Sequence, residues 1–262
     1  MAVAEAMGEL APEVRIVFLG SETGLEARVL PPSPYPFVAL TGEKWVGTRG
    51  WFPRIWANCG GFAQAYRWLE GRRPALVLGT GGFVAGPTVL AARILGITTA
   101  IMEQNAVMGL TNRILAPLVN RSFLSFQDTI GAPPASSVVT GNPVRRNLLL
   151  ARRNEERRDE PPRLLIFGGS QGAHAINLLL IDAAPQLRAA VPDLEIWHIT
   201  GAADRAMVEA GYRSAGLSAR IDAFLDDMGS ALGWAHLVIG RAGATTIAEL
   251  CAVGRASILI PY

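Results

Sequence analysis

Cysteine is scarce in this chain of 262 residues, where only Cys59 and Cys251 occur, far apart in sequence. Two such cysteines exclude a disulfide framework and a CxxC metal site, and they favour a reducing compartment. Histidine is also rare, since His174, His198 and His236 are scattered. No DxD triplet is present to hold a divalent ion against a diphosphate. We therefore expect neither a metal nor a cofactor.

Strong charge and long apolar runs are lacking as well. The formal net charge is only +2, so we expect no nucleic-acid partner. No apolar run reaches the roughly 18 residues that a membrane-spanning helix requires. Residues 1–7 are typical of an alanine-rich helix and not of a signal peptide. The sequence thus predicts that any contact with a membrane is made at its surface.

What the chain does contain is an alternation of strand-like and helical patterns. Half of the residues are hydrophobic, and 28 glycines and 17 prolines supply many turns, a composition that argues against disorder. Strands that alternate with helices predict an α/β fold with parallel sheets and right-handed crossovers. The predicted strands lie at about 14–19, 75–78, 98–102, 164–167, 194–199, 237–239 and 257–260.

A charged, proline-ended segment divides the chain. Residues 151–162 read ARRNEERRDEPP, a composition that is typical of an interdomain connection. We therefore predict a first domain over 1–150, a linker at about 151–162, and a second domain over 163–262.

Glycine-rich turns occur three times between a predicted strand and a predicted helix. Without a Cβ, backbone N–H groups can approach a ligand closely, and the following helix adds its positive end. Such a turn suits a diphosphate at the carboxyl edge of a parallel sheet. One turn is RAGA at 241–244, and the glycines of the other two, which we assign to diphosphate loops, are Gly79, Gly81, Gly82, Gly168, Gly169 and Gly172.

Dinucleotide binding is the competing interpretation of these loops. In the first loop Val84 occupies the third glycine position of GxGxxG, and in the second no GxG precedes Gly172. No acidic residue stands convincingly about twenty positions further on to hold an adenosine ribose, and no P-loop is present. A nicotinamide-dependent dehydrogenase is therefore the less favoured alternative.

Longer motifs point to one family. Residues 102–113 read MEQNAVMGLTNR and resemble the HEQNxxxGLTNR segment of the MurG family of peptidoglycan N-acetylglucosaminyltransferases, in glycosyltransferase family 28. TGNPVR at 140–145, GGSQGA at 168–173, FLDDM at 224–228 and RAGATTIAEL at 241–250 follow in that family's order and at its spacing. The resemblance covers essentially the whole chain.

The resemblance implies a fold and an activity. The fold is the GT-B arrangement of two Rossmann-like domains, the first for the acceptor and the membrane, the second for the donor. The activity is inverting transfer of N-acetylglucosamine from UDP-N-acetylglucosamine to the muramoyl 4-hydroxyl of undecaprenyl-linked lipid I, which gives lipid II. The protein would then lie peripherally on the cytoplasmic face of the bacterial cell membrane.

The family pattern, carried over position by position, implies a donor site. Glu249 would accept hydrogen bonds from both ribose hydroxyls, and Arg145 would stabilise charge on the departing UDP. Ser170 would donate to a phosphate oxygen. Leu225 would lie against the uracil, and Asn105 would contact the N-acetylglucosamine. The implied donor-binding set is Asn105, Arg145, Ser170, Leu225, Ala244, Thr245, Thr246, Ile247, Ala248 and Glu249.

Three departures from the family pattern bear on catalysis. The family begins with a strand and a GGTGGH loop, whose histidine is a favoured candidate for the general base, whereas residues 2–7 here resemble the helix after that loop. Met102 replaces the histidine of HEQN, which leaves Glu103 as a candidate base. The family also continues beyond the strand at 257–260. We therefore expect a chain truncated at both ends, with its catalytic base unassigned.

Other interpretations stay open. The chain could be a catalytically inactive UDP-sugar-binding fragment, or another GT-B enzyme such as a nucleotide-sugar epimerase. Residues 44–69 mix arginines with aromatic residues at helical spacing, so they could lie at a bilayer interface or pack on the domain's own sheet. We expect Gly60 and Gly61 to weaken or break a helix in this segment.

Overall fold

The computed structural model describes residues 1–22, 33–41, 51–150, 161–169, 172–225 and 227–261, with the side chains of 51–58 and 134 excepted. The chain divides into two compact units. One consists of Ala6–Asn142, and the other of Met1–Glu5 together with Pro143–Tyr262. Helix α1 (Ala2–Leu10) therefore contributes residues to both.

The unit Ala6–Asn142 is an α/β structure in which every described strand pairing is parallel. β1 (Phe18–Ser21) pairs with β2 (Phe37–Leu40) in one small sheet. A second sheet has the order β3-β4-β5-β6, with β3 (Leu76–Gly79), β4 (Thr98–Glu103), β5 (Arg121–Leu124) and β6 (Ser137–Val139). The helices are α2 (Trp51–Arg72), α3 (Ala85–Ile94) and α4 (Leu110–Leu115), and a 3₁₀ turn covers Pro134–Ser136.

The second unit is built on one five-stranded parallel sheet. Its strands are β7 (Arg163–Phe167), β8 (Glu195–Ile199), β9 (Ala219–Asp222), β10 (Leu237–Arg241) and β11 (Ala256–Ile260), in the order β11-β10-β7-β8-β9. The helices are α5 (Arg146–Leu150), α6 (His174–Ala190), α7 (Arg205–Ser214), α8 (Met228–Trp234) and α9 (Ala244–Val253). The predicted α/β fold with parallel sheets is thus confirmed.

The strand order of this sheet reverses beside β7. From β7 the chain adds β8 and β9 on one side, then returns to add β10 and β11 on the other. Ligands of open α/β sheets bind at such a reversal, outside the carboxyl ends of the strands. Two of the glycine loops follow β7 and β10, so both lie at the reversal.

The central strand β7 is buried on both faces. Leu165 and Phe167 belong to one apolar cluster with Trp197, whereas Leu164 and Ile166 belong to another, covered by α6 and α7. A strand covered on both sides is expected to read as a continuous apolar run, which is how RLLIF reads. The burial of β7 on both faces therefore explains both the apolar run in the sequence and the apolar clusters on the two sides of the sheet.

The division between the units lies earlier than the predicted linker. Leu148 on α5 is fully buried in the apolar cluster that contains Leu165 and Trp197, so α5 packs with the second unit. Residues 143–150, which we predicted to end the first domain, thus belong to the other unit. Most of the predicted linker, 151–160, is outside the described residues. The amphipathic signal of a five-residue helix is too short to show which core it joins.

Helix α2 runs through Gly60 and Gly61 without a break, so of the two effects we expected, a weakened or a broken helix, the break is wrong. A Cβ at Gly61 would overlap the backbone carbonyl of Thr41, just after β2. Glycine thus permits a close helix approach whose packing offsets its poor helix propensity.

The apolar stripe of α2 packs, as far as its side chains are described, on the unit's own core. Phe62, Tyr66 and Leu69 belong to an apolar cluster with Leu40. Residues 42–50 and the side chains of 51–58, which carry the rest of the predicted interface segment, lie outside the described part. None of the described helices combines the length and apolar character needed to cross a bilayer.

Position 61 provides a stability test within one helix. We expect Gly61→Ala to lower the free energy of unfolding by about 1–3 kcal/mol, because the added Cβ forces α2 away from Thr41. A Cβ at Gly71 of the same helix meets no atom within 4 Å, so Gly71→Ala should be neutral or stabilise by up to about 1 kcal/mol. Urea unfolding followed by circular dichroism measures both. Equal effects would contradict the packing explanation.

Candidate functional site

In the loop between β7 and α6, two glycine positions have no room for a side chain. A Cβ on Gly168 would overlap Ala173, and one on Gly172 would overlap the carbonyl oxygen of Thr200. Gly169 and Gly172 also have positive φ angles of 93° and 78°, a conformation that glycine adopts without strain. Helix α6, 17 residues long, begins directly afterwards. The backbone N–H groups at its start form the geometry that binds anions.

Ser170 lies in this loop but is outside the described residues, as is Gln171. Its predicted bond to a phosphate oxygen therefore remains a prediction.

The loop after β10 lies beside the first one. Gly240 is the register partner of Phe167, so β10 and β7 end next to each other. Gly243 is the N-cap of α9. The predicted donor residues of this helix occupy its first two turns, where the first N–H groups have no partner within the helix; they are Ala244, Thr245, Thr246, Ile247, Ala248 and Glu249.

Arg145 and Glu249 come together in the second unit. Nη2 of Arg145 lies 3.8 Å from Oε1 of Glu249, and their side chains are 35% and 15% exposed. Burial raises the pKa of Glu249, and the positive charge of Arg145 opposes this rise. The arrangement places a carboxylate, a group that can accept hydrogen bonds from hydroxyls, beside a guanidinium, a group that can bind phosphate.

Leu225 lies beyond the end of β9 and packs, partly buried, against the apolar cluster around Leu165 and Trp197. It therefore follows the carboxyl end of a strand, as the two glycine loops do. Asp226 is outside the described residues, and the side chain of Asp227 accepts a hydrogen bond from the backbone of Ser230 at the start of α8.

The first unit has its own glycine loop, between β3 and α3. Gly81 and Gly82 have φ angles of 92° and 84°, and a Cβ on Gly79 would lie only 2.8 Å from Cγ2 of Val89 on α3. The loop thus needs glycine both for its backbone conformation and for the packing of α3 on the sheet.

Glu103 is the centre of a hydrogen-bond network at the end of β4. It is only 2% exposed. Its Oε1 accepts from the backbone and side-chain nitrogens of Asn105 at 3.0 and 2.9 Å, and its Oε2 from Gly109 N and Asn112 Nδ2 at 3.0 and 2.9 Å. Burial raises the pKa of Glu103, but the bonds from Asn112, Asn105 and Gly109 outweigh burial and lower it.

This environment suits a structural carboxylate better than a general base. A base needs a lone pair within reach of the substrate and a pKa near the working pH, whereas Glu103 is enclosed and its pKa is lowered. Asn105 is exposed and donates to Glu103. The hydrogen-bond network around Glu103 thus holds Asn105, the predicted sugar-binding residue, in place.

Asn112 is a residue to which the sequence analysis assigned no role. Its Nδ2 donates to Met102 O at 3.0 Å and to Glu103, which ties α4 to β4. Asn112 and Leu115 are the buried residues of α4, whereas Leu110 and Ile114 are exposed. The three-residue spacing of Asn112 and Leu115 in GLTNRIL is that of one helix face, so the sequence alone could have indicated that Asn112 faces inward.

Within the described part of the chain, no group of three or more His, Cys, Asp or Glu side chains is placed to hold a metal ion.

Replacing Glu103 tests how much its hydrogen-bond network contributes to stability. We expect Glu103→Gln to lower the free energy of unfolding by about 2–3 kcal/mol at neutral pH, because its amide NH₂ would face two of the four N–H donors. A lowered folded pKa gives stability that is present above the unfolded pKa and is lost as pH falls through the folded pKa. The difference from wild type should therefore shrink in acid.

The control is Glu70→Gln, since Glu70 is exposed on α2 of the same unit. It should change stability by less than about 0.5 kcal/mol at any pH. Urea unfolding between pH 3 and 7 makes the comparison, and a pH-independent effect of Glu103→Gln would contradict the assignment.

Comparison with known proteins shows two family matches. Residues 1–124 match the glycosyltransferase family 28 N-terminal domain, and residues 163–262 match the glycosyltransferase family 28 C-terminal domain. The chain is 41% identical over 265 residues to a UDP-N-acetylglucosamine–N-acetylmuramyl-(pentapeptide) pyrophosphoryl-undecaprenol N-acetylglucosamine transferase of Anaeromyxobacter sp. (strain K), covering 100% of this chain and 69% of that protein. The protein with the same description from Nitratidesulfovibrio vulgaris is 44% identical over 278 residues, covering 100% of this chain and 72% of that protein.

Solved structures agree with this relationship. The crystal structure of Acinetobacter baumannii MurG matches with a TM-score of 0.71 at 32% identity, over 100% of this chain and 72% of that one. A UDP-N-acetylglucosamine 2-epimerase from Listeria monocytogenes, described as putative, also reaches a TM-score of 0.71, but at 13% identity, over 99% of this chain and 74% of that one. That second likeness shows the fold alone.

Proposed function

This chain belongs to glycosyltransferase family 28, and on that premise we propose that it transfers N-acetylglucosamine from UDP-N-acetylglucosamine to the muramoyl 4-hydroxyl of lipid I. The product is lipid II, an intermediate of peptidoglycan synthesis. The chain is a hexosyltransferase of the MurG type, and its partners are a UDP-sugar donor and a lipid-linked acceptor. An epimerase is not favoured, because the epimerase structure described above resembles the chain in fold only.

The observation that carries the donor half of this proposal is the Arg145–Glu249 pair beside the strand-order reversal. Ionised Glu249 accepts hydrogen bonds from the two ribose hydroxyls. Arg145 and the N–H groups at the starts of α6 and α9 face the diphosphate. Leu225 lies against the uracil. Nothing in this set requires a metal ion to neutralise the diphosphate.

The reaction forms one bond and breaks another. The acceptor hydroxyl oxygen attacks the anomeric carbon, and the bond from that carbon to the diphosphate oxygen breaks, which inverts the anomeric centre. Negative charge grows on the departing UDP, where Arg145 and the helix starts stabilise it. The hydroxyl proton passes to a general base, for which we assign no residue, since Glu103 is enclosed.

Glu249→Gln is the direct test of the donor site. We expect the dissociation constant for UDP to rise at least tenfold, because an amide has one accepting oxygen and cannot offer a separate oxygen to each ribose hydroxyl as a carboxylate does. The folded pKa of Glu249 is raised, so ionisation costs stability as pH rises through that pKa. The variant without UDP should therefore unfold at the same or a slightly higher temperature at neutral pH.

The matched control is Glu195→Gln. Glu195 also pairs with an arginine, Arg163, at 2.9 Å, but both residues begin strands and so lie at the opposite edge of the sheet. Isothermal titration calorimetry with UDP, followed by transfer to a lipid I analogue, measures both variants. UDP binding without transfer in the wild-type chain would favour the inactive-fragment alternative, and unchanged binding by Glu249→Gln would refute the site.

We further propose that the protein acts peripherally at the cytoplasmic face of the membrane, where a lipid-linked acceptor resides. The first unit exposes an apolar surface that supports this: Leu110 and Ile114 on α4 are 73% and 61% exposed, and Val107 and Ile130 are joined by a β-bridge and exposed. Arg113 on the same helix is exposed, as are Arg93 and Arg121 elsewhere in the unit. Apolar side chains edged by arginines favour an anionic bilayer surface.

Vesicle flotation tests this surface. The double variant Leu110→Ser, Ile114→Ser should lose most of the wild-type binding to vesicles that contain phosphatidylglycerol, because it removes apolar side chains that would enter the interface. The control Leu178→Ser, Leu179→Ser changes two exposed leucines of α6 in the other unit and should bind as wild type does. Equal binding by both double variants would reject this surface.

A further inference from the structure

A chain of buried hydrogen bonds lies beneath the glycine loop that follows β7. The hydroxyl of Tyr212 on α7 is 2.8 Å from Nδ1 of His198, and Nε2 of His198 is 3.0 Å from Oδ1 of Asn177 on α6. Nδ2 of Asn177 is 2.9 Å from the carbonyl oxygen of Thr200 and 2.8 Å from Oδ2 of Asp204. These residues belong to none of the motifs that mark the donor site.

The chemistry of Asn177 sets the direction of every bond in this chain. Both hydrogens of its Nδ2 are donated, and its Oδ1 can only accept, so Nε2 of His198 must carry a hydrogen. Nδ1 of His198 then accepts from Tyr212. The ring is neutral, because complete burial lowers the pKa of His198 to about 4. The bonds therefore run one way, from Tyr212 to the carboxylate of Asp204.

Asp204 joins the starts of two helices. It is the N-cap residue of α7, but its side chain makes no bond to that helix. It accepts instead from Asn177 and from Nδ1 of His174, at 2.9 Å, in the first turn of α6. The bonds from Asn177 and His174 lower the pKa of Asp204, so it is an anion at neutral pH. An N-cap aspartate normally serves its own helix, and this one holds a neighbouring helix in place.

One carbonyl oxygen links this network to the glycine loop. Thr200 O accepts from Asn177, and Gly172 packs against the same oxygen so closely that a Cβ would overlap it. The first turns of α6 and the end of the loop are thereby fixed to a common point after β8.

We propose that Asn177 and Asp204 are positioning residues, which orient the N–H groups at the start of α6 toward the diphosphate of the donor. The inference rests on the proposed function, since that function supplies the nucleoside diphosphate. It assigns a role to residues that do not contact the ligand. A shift of the first turn of α6 would misdirect hydrogen bonds whose strength depends on alignment.

Asp204→Ala separates positioning from general stability. We expect the dissociation constant for UDP to rise about tenfold, because the loop loses its support, whereas that for uridine, which has no diphosphate, changes by less than about twofold. Titration calorimetry with UDP and ligand-observed NMR with uridine measure the two. A variant that merely unfolds more easily would lose both ligands in the same proportion.

Two further variants complete the test. Asp204→Asn keeps an oxygen for Asn177 and should recover most of the UDP affinity. Arg255→Met removes a buried side chain that donates to Leu232 O and Gly233 O. Arg255 directly precedes β11, so it lies at the edge of the sheet opposite the glycine loops. The substitution should lower the melting temperature with little change in UDP affinity.

The outcomes distinguish the two proposals. Equal losses of UDP and uridine by Asp204→Ala, or a loss of UDP affinity by Arg255→Met of the same size, would overturn the positioning role. Failure of the wild-type chain itself to bind UDP would contradict the proposed function instead.

Discussion

No side chain fits between Gly172 and the carbonyl oxygen of Thr200, and the donor site that we propose for the second unit depends on that contact. The contact brings the glycine loop against the end of β8 and starts α6 at the strand-order reversal. Backbone N–H groups can then face an anion directly. Gly61 in the first unit meets the carbonyl of Thr41 in the same way, although there the result is only the packing of a helix. Close backbone approach is thus a structural device of both units, and its position in the sheet decides whether a ligand can use it.

Glu103, which is buried, and Glu249, which is partly buried, show how the surroundings of a carboxylate suit it to a structural role or to ligand binding. Glu103 receives four N–H donors, so its charge is stabilised and its oxygens are occupied. Glu249 has Arg145 at 3.8 Å, and burial raises its pKa. A ligand that offers two hydroxyl donors would satisfy Glu249, but Glu103 has nothing left to offer. The incomplete stabilisation of Glu249 in the unliganded chain is a cost that donor binding can offset.

Much of the fold and part of the site were predictable from sequence. The alternation of strands and helices and the apolar run RLLIF follow from period and burial, and the α/β fold is confirmed. The glycine loops were found because positive φ angles and close approach demand glycine. Arg145 and Glu249 were assigned through motifs, and the fold brings them together. The donor-binding roles of all the assigned residues, Ser170 included, and the membrane side of the first unit remain predictions.

The sequence by itself determined which segments form strands, where the chain must turn tightly, and which family the motifs resemble. Only the tertiary structure decided that α5 packs with the second unit through Leu148, that α2 continues through Gly61, and that Glu103 is enclosed. It also decided that Asp204 supports α6 and not its own helix. Each of these depends on contacts between residues distant in sequence, whose partners no local pattern of polarity or propensity specifies.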